Sequence, residues 1–207
     1  MSRRRQNWFE GWRLFAVLTL ILIVLCAAIA GLGQFDADGI RIVIRFTART
    51  SLLLFCLAFS AAALAQLRPN PWTRWQRRNR RQLGVTFAAS HALHAVAIAA
   101  FATIDPAGFA KATNLASYVF GGIGYAFIFA MTATSFDRAA AWLGPRAWRA
   151  LHLVGGYYLL LQFTVSFGKR IADMPLYALF LIPLALVFAL RMIAMASRQT
   201  PRTVEAG

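Results

Sequence analysis

Residues 83–101 read Leu-Gly-Val-Thr-Phe-Ala-Ala-Ser-His-Ala-Leu-His-Ala-Val-Ala-Ile-Ala-Ala-Phe, with no charged side chain along the run. A helix of about 20 such residues, rising ~1.5 Å each, crosses the ~30 Å of hydrocarbon in a bilayer. His91 and His94 stand three positions apart and so share one face of that helix. The run therefore predicts a membrane span carrying two imidazoles at a depth where ionisable groups are costly.

Five further runs of comparable length flank it: Leu14–Leu32, Arg45–Gln66, Ala112–Thr134, Trp148–Phe167 and Met174–Met195. The connections Gly33–Ile44, Leu67–Gln82, Ala102–Lys111, Ser135–Ala147 and Gly168–Asp173 leave no room for a soluble domain. The fold expected is an all-α polytopic membrane bundle of about six transmembrane helices, one integral-membrane domain over residues 1–207. Leu14–Leu32 is too long for the apolar core of a cleavable signal peptide and is read as a span. Pro175 and Pro183 predict a bend in the last one.

Composition agrees. The chain is 59% hydrophobic and 14% charged, against about 45–50% and about 25% for soluble domains. A net charge of +15 brings nucleic acid to mind, but the arginines gather in short clusters between apolar runs, and the partner expected is membrane lipid instead. With the N-terminus in the cytoplasm, only Arg41, Arg45, Arg49, Lys111, Lys169 and Arg170 fall on the far side, and the other sixteen of 22 basic residues, Arg3, Arg4, Arg5 and Arg202 among them, stay inside. This predicts a multi-pass protein of the bacterial inner membrane with both termini cytoplasmic. Cys26 and Cys56 lie in apolar runs and read as small hydrophobes.

The three histidines carry the chemistry. His91 and His94 fall in the third span and His152 in the fifth, and none lies in a loop, where histidine is cheapest. Imidazoles on facing helices are a common means of holding a porphyrin in a bundle. Ala88, Ala89, Ser90, Ala92 and Ala95, with Gly155 and Gly156 on the other helix, would leave space for one. The alternative is that the histidines hydrogen-bond across helices, and it weighs most on His91. Zinc or copper would call for carboxylates or thiolates nearby, whereas Glu10, Asp36, Asp38, Asp105, Asp137, Asp173 and Glu205 all sit at helix ends or in loops. No H-E-x-x-H, Ser/His/Asp set or glycine-rich phosphate loop is present.

At these residues the sequence resembles the ferric-reductase-like transmembrane family, and within it the haem-binding membrane subunits of periplasmic methionine sulfoxide reductase systems. The matching strings are Phe46-Thr47-Ala48-Arg49-Thr50-Ser51-Leu52, Arg80-Arg81-Gln82-Leu83-Gly84-Val85 leading to Leu93-His94, and Thr134-Ser135 through Leu143-Gly144 and Trp148 to Leu151-His152, ending with Ser166 and Lys169. The resemblance implies a haem-binding core over residues 43–168 and haem b as the cofactor, with FMN or a quinone as further candidates. It implies electrons taken from a cytoplasmic flavin reductase or quinol and passed to a periplasmic molybdopterin reductase subunit, as a component of an oxidoreductase system and not a complete enzyme. His94 and His152 are carried over as axial ligands of the haem iron, and the basic stretch Arg74–Arg81 as a cytoplasmic docking face.

One departure stands out. The family's further histidine, about 13 residues after the position of His152, is replaced here by Thr164-Val165-Ser166. Depth makes the gap concrete: at ~1.5 Å per residue His94 lies roughly 20 Å beyond Arg81, but His152 roughly 5 Å beyond Arg149. The offset is about 15 Å from His94 and about 10 Å from His91, and Gln162, nearer in depth, is a poor ligand. Three readings stay open: one haem with shifted His91 or His94 and His152 ligation, one or two haems each with a single histidine, or a relative without full loading. Arg45 and Arg49 are placed either to pair with haem propionates or to snorkel to the interface. Trp148, Tyr157 and Tyr158 belong either near the haem edges or to an interfacial aromatic belt. The competing function is a non-catalytic membrane scaffold whose histidines only pack.

Overall fold

The computed structural model describes residues 9–199, so the expectations resting on Arg3, Arg4, Arg5, Arg202 and Glu205 lie outside the described residues. These residues form helices and turns: α1 Gly11–Leu32, α2 Ala37–Leu67, α3 Pro71–Arg78, α4 Arg80–Ile104, α5 Pro106–Ala112, α6 Leu115–Ala133, α7 Asp137–Leu143, α8 Pro145–Gly168, a 3₁₀ turn Pro175–Phe180 and α9 Leu181–Gln199. No strand occurs among them. Six segments are long and apolar enough to cross a membrane: α1, α2, α4, α6, α8, and Pro175–Arg198. The chain is a multi-pass, all-α membrane bundle.

Helix boundaries depart from the apolar runs where capping chemistry decides them. The second helix starts at Ala37 instead of Arg45, because the Asp36 carboxylate accepts the Gly39 N–H at 2.7 Å and supplies an N-cap. Its 31 residues make it about 46 Å long, more than a bilayer's hydrocarbon. Gly33 and Gly39 bring α1 and α2 together so closely that a Cβ on Gly33 would lie 2.5 Å from the Gly39 Cα. Three connections expected as loops hold short helices. Asn70 and Thr73 form a capping box before α3 with Pro71 at its first position, and the Asp105 carboxylate caps α5 by accepting the Gly108 N–H, ahead of Pro106. Gly144, at φ +79°, turns the chain into Pro145, so α8 starts three residues before the predicted Trp148.

The last span is in two parts, the 3₁₀ turn that opens at Pro175 and then α9. Pro183 lies in the first turn of α9, where its missing N–H leaves no helical bond unmade.

Helix α2 is the hub, touching α1, α3, α4 and α9. One buried cluster joins α2, α8, α9 and the 3₁₀ turn through Leu52, Phe55, Phe163, Phe167, Tyr177 and Leu184. A smaller one joins α1, α2 and α4 through Cys26, Ile40, Val43, Ala97 and Phe101. Both cysteines are free and buried. Arg191 of α9 is half-buried, its guanidinium 3.9 Å above the Phe59 ring and bonded to the Phe59 carbonyl (3.1 Å) and the Tyr157 hydroxyl (3.3 Å). Those two acceptors satisfy an arginine that would otherwise meet lipid.

The two ends of the bundle are polar. At one, Asn79 Oδ1 accepts the Gly11 N–H (2.8 Å), Arg78 pairs with Glu10 (3.2 Å), and Arg81 pairs with Asp137, tying the starts of α1 and α4 to α7. At the other, Arg41 reaches Asp38 (3.4 Å) and Asp105 (3.5 Å) while covering the Phe101 ring at 4.7 Å.

Candidate functional site

Helix α4 presents Ser90, His91 and His94 within about one turn. Opposite, α2 presents a row of hydroxyls. Thr47, Ser51 and Ser90 are fully buried, and Ser90 Oγ lies 3.0 Å from both Ser51 Oγ and Thr50 Oγ1. His94 continues the row: its Nδ1 is 3.0 Å from Thr47 Oγ1 and 3.1 Å from the Ile44 carbonyl. Both hydrogen bonds of His94 end at Nδ1, which turns Nε2 away from α2.

His91 occupies an aromatic surround. Its ring centroid lies 5.2 Å from that of His94, 5.0 Å from Tyr125 on α6, 5.6 Å from Phe87 and 6.1 Å from Phe163 on α8. The Tyr125 hydroxyl donates to the His91 carbonyl at 3.4 Å. His91 Nδ1 is buried and lacks a hydrogen-bond partner among the described residues. Buried polar nitrogens are nearly always paired in folded proteins, so an orphan of this kind calls for an explanation.

His152 lies apart. Its ring lies against that of Trp148 of its own helix (centroids 4.3 Å apart, planes tilted by 31°), its Nε2 is 3.3 Å from Thr134 Oγ1, and the Trp148 indole N–H donates to the Thr134 carbonyl at 3.0 Å. Phe163, which neighbours His91, is eleven positions further along α8, about 16 Å down the axis. The structure brings His91 and His94 together and does not bring His152 to them.

Space around the histidines differs from expectation on one helix. A Cβ on Gly155 would meet Met131 Sδ at 2.9 Å and Phe127 at 3.0 Å, and a Cβ on Gly156 would collide with the Phe59 ring. These glycines leave no vacancy, because neighbouring helices fill it. On α4, Ala88, Ala89 and Ala92 border an open groove of about 330 Å³, shared with Phe15, Phe129 and Thr132 and lined by no histidine. A second groove of about 520 Å³ lies between α8 and α9, against Tyr157, Thr164 and Phe188. Thr164, Val165 and Ser166, which stand where a later histidine would fall, are all exposed.

Arg49 faces the 3₁₀ turn. Its guanidinium covers Tyr177 (5.5 Å) and Phe180 (5.4 Å) and donates to the Tyr177 hydroxyl at 3.3 Å, while Nε is buried without a partner. Arg170 approaches the Tyr177 ring at 5.8 Å, and Arg45 is exposed. No group of three His, Cys, Asp or Glu positioned for a metal ion occurs among the described residues.

A model of the ferric reductase like transmembrane component family matches residues 47–163, more than half of the chain. The chain belongs to this family. No curated protein and no solved structure matches it. The ferric-reductase-like match begins at the threonine that bonds His94 and ends at the phenylalanine beside His91, so it brackets the α2–α4–α8 region just described. Membership assigns the chain to a membrane electron-transfer class.

A porphyrin iron takes a neutral imidazole through one ring nitrogen, and the ligating ring almost always donates its other N–H to a carbonyl or carboxylate. His94 has that arrangement, and the orphaned nitrogen of His91 is next to it. The imidazoles on α4 are donors of the kind that would hold a haem iron. His152, with Nε2 already bonded, would have to exchange Thr134 for iron. Sequence reasoning did not single out the hydroxyl row. The signal was present as two i,i+4 polar pairs, Thr47 with Ser51 and Ser90 with His94.

Proposed function

We propose that this ferric-reductase-like protein is a b-type haem-binding electron-transfer subunit of the bacterial inner membrane, with both termini cytoplasmic. The observation that supports it most is the pair of adjacent, half-buried imidazoles on α4, one held through Nδ1 and the other with a buried, orphaned Nδ1. His94 would hold the iron through Nε2, with His91 beside it as the substitute ligand and His152 as a second, separate imidazole. Arg49 offers its unpaired Nε–H to a propionate. The haem supplies one-electron chemistry, and the helices around it keep water away and fix its height in the bilayer. A cytoplasmic flavin reductase or quinol is the donor, docking over the basic stretch Arg74–Arg81, with FMN or a quinone as the carrier between them. A periplasmic molybdopterin reductase acting on methionine sulfoxide is the acceptor.

The test is the absorption spectrum of the full chain purified after expression with ample haem. A Soret band and a reduced b-type α-band are expected. His94→Ala should lower the haem-to-protein ratio severely and His91→Ala less, and equal retention in the two variants would overturn the ligand assignment. The packing of His152 against Trp148 favours a second reading, in which the chain is a scaffold with packing histidines. A protein that carries no haem under those conditions would establish that reading instead.

A further inference from the structure

We infer that Thr47 is a positioning residue that sets the tautomer and the angle of the His94 ring. The inference rests on the haem reading above and extends it to a residue that never touches the iron. A carbonyl oxygen has no proton to give, so the contact between His94 Nδ1 and the Ile44 carbonyl requires the hydrogen to sit on Nδ1. The Thr47 hydroxyl proton has its own acceptor, the Val43 carbonyl at 2.8 Å, so a lone pair of Oγ1 faces the same Nδ1–H at 3.0 Å. One N–H thus lies between two acceptors, and Nε2 is left as the unprotonated, metal-competent nitrogen.

Thr47 is itself held in place by its bond to the Val43 carbonyl at 2.8 Å. It is fully buried, and its branched Cβ restricts χ1 within a helix. The Ser90 hydroxyl lies 3.5 Å from the Thr47 carbonyl while bridging Thr50 and Ser51, so the register of α2 against α4 is fixed one turn from the imidazole. Water, which would exchange with such hydroxyls in a soluble protein, is absent from the bilayer core. The result is a ring whose orientation is set by α2 although the ring belongs to α4. Pairing Nδ1–H with an acceptor raises the basicity of Nε2, which favours oxidised iron and lowers the midpoint potential.

The test compares Thr47→Val and Thr47→Ser in the full-length haem-loaded protein in nanodiscs, reading haem dissociation rate and midpoint potential. Thr47→Val should release haem about 10-fold faster, the low end of the 10–100-fold range for outer-shell changes because the Ile44 carbonyl remains, and its potential should rise. Thr47→Ser should restore both. Unchanged release and potential in Thr47→Val, with His94→Ala still stripping haem, would overturn the inference and leave the haem reading standing. A loss of thermal stability with no change of potential would also overturn it, by making Thr47 a packing residue only. Nitrogen-15 NMR of histidine-labelled wild type serves if Thr47→Val does not fold: a signal for His94 protonated at Nδ1 is expected, and protonation at Nε2 refutes the proposal. A wild-type protein devoid of haem defeats both claims together.

Discussion

Around His94 two spans meet through buried hydroxyls, whereas around His152 they meet through one indole and one threonine. On the α2–α4 side Thr47, Ser51, Thr86 and Ser90 are fully buried, and His94 is held by two acceptors on a neighbouring helix. On the α6–α8 side the residues after His152, Leu153 and Val154, are 48% and 57% exposed, and the ring's main contact is with Trp148 four positions earlier. The first arrangement costs buried polar surface and gains a fixed imidazole. The second needs nothing outside the ordinary repertoire of helix packing. Two half-buried histidines of one bundle thus differ in how they are held, His94 by two groups of another helix and His152 by a residue of its own helix and one threonine.

The largest effect that would break this contrast is in haem content. His152→Ala should keep most of the pyridine-haemochromogen signal that His94→Ala loses, and equal loss from both would make the two neighbourhoods functionally alike. Next comes packing. Gly156→Val should destabilise the bundle by about 1–3 kcal/mol in SDS titrations followed by circular dichroism, the cost of overpacking. The Phe59 ring it would strike cannot easily retreat from beneath Arg191. Gly84→Ala, where a new methyl meets nothing within 4 Å, is the control and should be neutral or stabilising. Smallest are the hydroxyls. Ser90→Ala, which leaves two hydroxyls without their shared partner, should cost about 0.6–1.7 kcal/mol in the same titration. Thr134→Val should cost less, and a reversed order would show that the α6–α8 side is the more tightly specified.

The six spans and the adjacency of His91 and His94 were legible in the sequence, because run length and a three-residue spacing translate directly into helix geometry. The distance of His152 from the pair was legible too, since a fixed rise per residue turns sequence offsets into depths. What escaped was decided by capping and by partners. Asn70, Asp105 and Asp36 create or extend helices in segments whose apolar content gives no warning. Gly155 and Gly156 read as free space because a sequence cannot say which neighbour fills the notch. Thr47 and Ser51 stood in the sequence only as part of a matching string, and a hydroxyl in a helix commonly bonds the carbonyl four residues back, as Thr47 also does, so its second partner could not be read.

Arg191 has a consequence for biosynthesis. The Phe59 ring that seats Gly156 is covered by a guanidinium belonging to α9, which leaves the ribosome after α2 and α8. Until that span enters the bilayer, the second and fifth crossings lack the group that locks their contact. A nascent chain halted before residue 191 would therefore lack the guanidinium that joins Phe59 of α2 to Tyr157 of α8, while the contacts of α2 with α1 and α4 would not depend on it.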